Sequence, residues 1–254
     1  MKIIHYHPKY QHLKSKIESI IKDFESKGEA VTIGQRNVIK SFEVDGLTLN
    51  IKSFKKPNAF NSFIYKWIRP SKAKRSFDYA SKLIDCGIST PFPVAYLEET
   101  SAFGLKNSYY VSEHINYDFE FRALIHNPKF PKREEILRQF AEFTFKLHEN
   151  NINFLDHSPG NTLVVKTKQG YKFYLIDLNR MRFETMTFEK RMHNFRRLWL
   201  SKTMIKVIAK KYSELYNTSY QETHDLMLKQ SMAFQHKINR KKLRRSGRKM
   251  QFRS

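Results

Sequence analysis

Apolar and polar residues alternate over Leu47-Thr48-Leu49-Asn50-Ile51-Lys52, which predicts a strand with Leu47, Leu49 and Ile51 on one face and Lys52 on the other. The Asp45-Gly46 pair just before it is a two-residue hairpin signal, so residues 30–54 read as three strands. Leu13, Ile17, Ile20, Ile21 and Phe24 recur at helical spacing and predict an amphipathic helix over 11–27. Residues 57–70 read as a polar and aromatic linker. A helix follows, with Ser71 as N-cap, Phe77, Ala80 and Ile84 on one face, and Gly87 just past its end. Prolines 91 and 93 force an extended stretch, and residues 94–98 and 108–111 read as two further strands. Beyond residue 113 the period changes. Pro131, Glu134, Glu135 and Lys146 mark a helix over 131–149 that buries Ile136, Phe140, Phe143 and Leu147. Leu163-Val164-Val165 and residues 171–176 flank a glycine-containing turn and predict a hairpin. Residues 187–236 read as helical, with Phe195, Leu198, Trp199, Met204, Ile205 and Ile208 as core.

The pattern is α+β. It predicts a β-rich lobe over 1–113 with five strands in its sheet and one helix of the regulatory type, a helical lobe over 114–236, and a tail over 237–254. The 254 residues suffice for such a core.

Charge changes the picture. There are 47 basic and 24 acidic residues, a formal net charge of +23. Nine of the basic residues and no acid lie in the tail, so residues 1–236 keep a net +14. Such a field favours polyanionic partners: nucleic acid, an acidic glycolipid or an anionic membrane face. The tail has few apolar residues and reads as mobile or folding on binding. The lone Cys86 excludes an internal disulfide and fits a reducing compartment. The N-terminus lacks the apolar stretch of a signal peptide, and no apolar run reaches the roughly 18 residues of a membrane span. These features predict a cytoplasmic protein.

The chemistry concentrates between residues 154 and 182. Asp156 follows Phe154-Leu155, Asn161 lies five residues on, and Asp177 ends the apolar run Tyr174-Leu175-Ile176. Acids at the ends of buried strands cost desolvation energy and usually have a task. An acid, an amide and a second acid suit phosphoryl transfer, one carboxylate orienting a hydroxyl while the other two groups hold Mg²⁺ on the phosphates of ATP.

Asp156 to Asn161 resembles the D-x-x-x-x-N loop of protein kinases, and Asp177-Leu178-Asn179 their metal-binding D-F-G. The resemblance implies two lobes with ATP between them, Asp156 as base, and Asn161 and Asp177 as Mg²⁺ ligands. It assigns Lys52 to the α- and β-phosphates, although Lys55 and Lys56 follow closely. It assigns Asp78, the acid in the middle of its helix, to hold Lys52, where the usual residue is Glu. Gly34-Gln35-Arg36-Asn37 stands where a glycine-rich turn covers the phosphates, or is an ordinary hairpin turn. Glu113 falls at the hinge whose backbone groups take adenine.

The departures are informative. Phe154-Leu155 replace the His-Arg of protein kinases, and no A-P-E motif follows Asp177, which argues for a sugar acceptor over a protein. Arg180 and Arg182 are placed to neutralise phosphates or an acidic sugar. His157 and His148 read as packing residues.

Together with SKAKRSFDYA and GISTPFPVAY, the stretches HENNINFLDHSPGN and LIDLNRMRF are similar to the Kdo/WaaP family of lipopolysaccharide kinases over residues 30–200. The resemblance implies an ATP- and Mg²⁺-dependent kinase acting on an inner-core sugar, nearest to kinases of Kdo attached to lipid A. Such an enzyme would rest on the cytoplasmic face of the inner membrane, its basic tail against anionic lipid. Two other classes fit parts of the sequence: a minimal, atypical protein kinase, and a basic nucleic-acid-binding protein. The ordered acids disfavour the latter.

Overall fold

The computed structural model describes residues 2–33 and 37–251. The chain divides into two compact units: residues 1–116 with 177–179, and residues 117–176 with 180–254.

The first unit is built on a six-stranded antiparallel sheet of order β1-β5-β6-β4-β3-β2. Its strands are β1 (Lys2–Tyr6), β2 (Glu29–Ile33), β3 (Asn37–Val44), β4 (Leu47–Phe54), β5 (Pro93–Ser101) and β6 (Gly104–Glu113). Five strands follow the sequence pattern. The sixth, β1, was too short and flanked by too many polar residues to stand out, and it adds to the edge by pairing with β5. Asp45 and Gly46 turn β3 into β4 with positive φ angles of 52° and 76°, the conformation that such a hairpin requires.

Strand alternation sorts the two faces. Leu49, Ile51, Val94, Ala95, Leu97 and Val111 pack with Tyr10, Leu13, Ile17, Ile21 and Phe24 from a 3-10 turn (Pro8–Leu13) and helix α1 (Lys14–Lys22). Phe54, Tyr96 and Tyr110 line the other face, against Ala73 and Phe77 of α3 (Lys72–Asp85). Period two therefore puts Lys52 on the α3 face. Residues 57–70, read as a linker, contain a helix instead: α2 (Ala59–Trp67), with Asn58 as N-cap accepting from the Asn61 N–H at 3.0 Å. It buries no residue, and Pro57, Asn58, Asn61 and Pro70 gave the stretch the composition of a linker.

The second unit carries a three-stranded sheet of order β10-β9-β7 and a two-stranded pair, β11-β8. The strands are β7 (Phe119–Glu120), β8 (Ile152–Phe154), β9 (Thr162–Thr167), β10 (Gly170–Leu175) and β11 (Met181–Phe183). Helices α4 (Arg122–His126), α5 (Arg133–Glu149), α6 (Phe188–Asn194), α7 (Lys202–Tyr216) and α8 (Tyr220–Gln251) make up most of the rest. The core joins Phe121, Phe140, Val164 and Phe173 to Phe195, Ile205, Ile208 and Tyr212. Phe121 and Phe140 pack as a tilted ring pair with centroids 4.1 Å apart. The basic tail differs from expectation: through Gln251 it continues α8, because Lys and Arg are good helix formers and the buried Met227 and Ser231 anchor the helix start. Among the described residues, no helix is long and apolar enough to cross a membrane.

Candidate active site

In the first unit, Lys52 leaves β4 with its side chain only 13% exposed and donates to Asp177 Oδ1 at 2.8 Å. Asp177 has φ +58°, a conformation uncommon for a side chain bearing a Cβ. Its Oδ1 also accepts from Asn179 Nδ2 at 2.7 Å. Arg75 of α3, nearly buried, donates from Nη1 to the Asn179 carbonyl at 2.9 Å. Leu178 is buried between these polar neighbours. Lys55 and Lys56 are exposed.

One expectation needs correcting. Asp78 does not hold Lys52. It pairs with Lys74, one turn earlier on α3, at 2.9 Å, and its side chain is 40% exposed. An aspartate is short, and a lysine at i−4 on its own helix reaches it first. Of the backbone groups at Glu113, the N–H donates to the Phe92 carbonyl at 2.9 Å. Its carboxylate accepts from the Tyr10 hydroxyl and from Lys9 Nζ, so it ties the N-terminal segment to the end of β6. Gly34 lies outside the described residues.

In the second unit, β8 and β11 pair with Met181 opposite Phe154, and the Leu155 N–H donates to the Arg180 carbonyl at 3.0 Å. That register brings Arg180 beside Asp156, Nη1 to Oδ2 at 3.8 Å. Arg197, on the 3-10 turn Phe195–Leu198, makes the closer ion pair: Nη2 to Asp156 Oδ1 at 2.7 Å. Asp156 thus sits between two guanidinium groups with its side chain 21% exposed. Arg182 is exposed, and its charge helps hold the Glu184 carboxyl below the usual range, after the hydrogen bonds from Asn153 and Lys190.

The loop after Asp156 closes on itself. The Ser158 N–H donates to the Asp156 carbonyl at 2.7 Å, and Asn161 Nδ2 donates to the same oxygen at 2.8 Å. The amide of Asn161 is thereby oriented with its oxygen away from the loop backbone. The Ile176 N–H donates to the Asn161 carbonyl at 3.0 Å, which fixes the hairpin end to the loop. A Cβ at Gly160 would meet the Arg122 guanidinium, which lies against the loop there.

Beneath the loop, His157 is fully buried and bonds Asn194 Oδ1 through Nδ1 at 2.8 Å. Asn194 Nδ2 donates to the Phe154 carbonyl and to Asn153 Oδ1, each at 3.0 Å. Because Nδ2 already serves as donor, Oδ1 is the acceptor, which places a proton on His157 Nδ1. Burial pushes the His157 pKa down to about 4, so the ring is neutral near pH 7. His148, also buried, is pushed to about 3 by burial and bonds the Tyr212 hydroxyl at 2.8 Å.

A β-rich unit bearing a lysine–aspartate pair, followed by a helical unit bearing an acid, a back-bonded Asn and a hairpin, defines a protein-kinase-like fold. The chain belongs to the lipopolysaccharide kinase (Kdo/WaaP) family, whose model matches residues 25–220. Members are phosphotransferases that act on sugar hydroxyls. A solved structure described as WaaP in complex with acyl carrier protein is similar in fold, with a TM-score of 0.64 and 16% identity over 94% of this chain and 97% of that one. No curated protein matches the sequence.

Sequence reasoning passed over three residues of the site. Arg197 reads as one of a basic surface pair with Arg196, and nothing in its spacing points to Asp156. Asn194 lies in a helical stretch without a motif. Arg75 left a weak signal, since it sits beside the buried Ala73, Ser76 and Phe77 of α3.

The buried, neutral His157 makes stability depend on pH. The unfolded chain takes up a proton below about 6.5 and the folded chain only below about 4, so stability falls as pH drops across that window. The full effect is about 3 kcal/mol. Urea unfolding from pH 7 to 4 should show this loss, with a shallower slope for His157→Phe. An equal slope in both proteins would contradict the assignment.

Proposed function

We propose that this chain is an ATP-dependent kinase that phosphorylates a hydroxyl of Kdo attached to lipid A, with Asp156 as the base. The observation that carries the reading is the Asp156 carboxylate set between Arg197 and Arg180. An acceptor bearing a carboxylate, as Kdo does, suits such forks, because guanidinium groups bind carboxylates and phosphates bidentately. When an anionic acceptor takes over an arginine, an oxygen of Asp156 becomes available to a neighbouring hydroxyl. Asp156 then orients that hydroxyl for in-line attack on the γ-phosphate and accepts its proton. Arg182 adds positive charge on the exposed side of β11.

Lys52, held by Asp177, is the group assigned to the α- and β-phosphates. The donor set fits Mg²⁺, which favours oxygen ligands and keeps several waters. Asn161 has its amide nitrogen committed to the Asp156 carbonyl, leaving the oxygen for a cation. Asp177 has one oxygen taken by Lys52 and Asn179, and its Oδ2 has no hydrogen-bond partner among the described residues. The ion would neutralise phosphate charge as it transfers. The chain's own contribution is positioning and fixed charge, the larger part of phosphoryl-transfer catalysis. ATP use and a lipid-anchored acceptor together place the enzyme on the cytoplasmic face of the inner membrane, where the basic end of α8 favours anionic lipid.

Asp156→Asn should cut turnover by about 10²–10⁴-fold while ATP affinity stays within a few-fold. Near-normal phosphate transfer would rule out Asp156 as base. Lys52→Ala should raise the KM for ATP strongly and Lys55→Ala should not; the reverse would misplace the phosphate lysine. Arg197→Ala is expected to raise the acceptor KM about tenfold or more, roughly the 1.5–3 kcal/mol of a charged hydrogen bond, with little change in the KM for ATP. An unchanged acceptor KM would remove Arg197 from substrate binding.

A further inference from the structure

Helix α2 is turned inside out for a helix in water. Its polar side chains face the protein: Ser62 Oγ donates to the Leu105 carbonyl at 2.7 Å, and Lys66 Nζ donates to the carbonyls of Ser101 and Ala102 at 2.9 and 3.1 Å. Gly104, with φ +142°, lets the helix backbone come close, since a Cβ there would strike Ser62. The apolar side chains point outward. Phe60 is 74% exposed, Phe63 52%, Trp67 63% and Ile68 72%, and Phe103 at the adjacent β5–β6 turn is 88% exposed. At 100° per residue, Phe60, Phe63 and Trp67 share one stripe. Soluble monomers rarely leave more than roughly a few hundred Å² of contiguous apolar surface open unless it binds something.

The surroundings are cationic. From Gly46 to Phe77 the sequence has eight Lys or Arg and no acid. On the flank of the aromatic stripe, Asn61 and Tyr65 of α2 join Lys55, Lys56 and Lys72 around a cavity of about 320 Å³. Lys55, Lys56, Arg69 and Lys106 are exposed.

We propose that α2 and the Phe103 turn form a docking surface for an anionic phospholipid bilayer. Phe60, Phe63, Trp67, Ile68 and Phe103 enter the interface between headgroups and acyl chains, where aromatic residues prefer to sit. The lysine-lined cavity receives a lipid phosphate, and the long cationic side chains keep their heads in water beside it. Apolar insertion and phosphate capture on one small helix separate this surface from the purely electrostatic attraction of the basic end of α8. The surface positions the first unit at the plane from which a lipid-borne acceptor projects.

The test uses the full-length protein with vesicles of phosphatidylethanolamine and phosphatidylglycerol, and phosphatidylcholine vesicles as the neutral control. Sedimentation measures partitioning, and tryptophan fluorescence of the Trp199→Phe variant reports on Trp67 alone. Anionic vesicles should shift Trp67 emission to the blue, and brominated lipid should quench it. Phe63→Ser with Phe103→Ser should lower partitioning at least tenfold, and Lys55→Gln with Lys56→Gln should lower it several-fold. Each variant should keep its circular dichroism spectrum and its nucleotide affinity. Partitioning that survives these changes but is lost in Lys241→Gln/Lys242→Gln/Arg244→Gln would overturn the proposal in favour of α8 alone. A Trp67 shift caused by an acidic acyl carrier protein and not by vesicles would overturn it in favour of a protein partner.

Discussion

A lysine and an aspartate 125 residues apart in the chain share one hydrogen bond, and the first unit is organised around it. Lys52 lies on a central strand with little water around it, so its charge needs a partner, and a partly buried ammonium without one costs several kcal/mol. Asp177 supplies that partner from a segment that belongs by sequence to the hairpin of the second unit. This pull, with Arg75 on the Asn179 carbonyl, explains why residues 177–179 pack with the β-rich unit. The positive φ at Asp177 is the local cost of turning the carboxylate to the lysine, and the surrounding bonds over-determine it.

The second unit solves a related problem with neutral groups. Asp156 keeps its side chain 21% exposed on a loop that hydrogen bonds hold in place. Its own carbonyl is used twice to close the loop, and Asn194 reaches both the residue before the loop and the ring that follows Asp156. A charged imidazole at position 157 would have to be buried without a counter-ion, so burial keeps it neutral and the network asks only for hydrogen bonds. The loop is therefore stiffened without adding a competing charge next to the carboxylate. The charges that do touch Asp156 are two guanidinium groups, that of Arg180 exposed and that of Arg197 half-buried.

Much of this was legible in the sequence. Period-two alternation put Lys52 on the face opposite Leu49 and Ile51, and the Asp45-Gly46 turn set its register. The spacing of Asp156, Asn161 and Asp177 pointed to phosphoryl transfer, the activity of the family to which the chain belongs, and the α+β division followed from the change of period. What stayed hidden depends on contacts that no local pattern encodes. Asp78 was the sensible partner for Lys52 by helix position, but Lys74 lies within reach on the same helix face. Glu113 stood at the end of a strand, yet Tyr10 and Lys9 come to it from the N-terminus. Arg197 reaches Asp156 only through the packing of the turn after α6. Helix α2 reads as a linker because it is short and lies between Pro57 and Pro70, although Phe60, Phe63 and Trp67 recur at helical spacing.

The central claim of the proposal is that this chain transfers phosphate from ATP to Kdo attached to lipid A. The direct measurement is mass spectrometry of Kdo-lipid A after incubation with the protein, ATP and Mg²⁺. The account predicts a gain of one phosphate, located on the Kdo portion by fragmentation and dependent on ATP. An unmodified Kdo-lipid A, recovered from an incubation in which the folded protein binds ATP, would contradict Kdo as the acceptor.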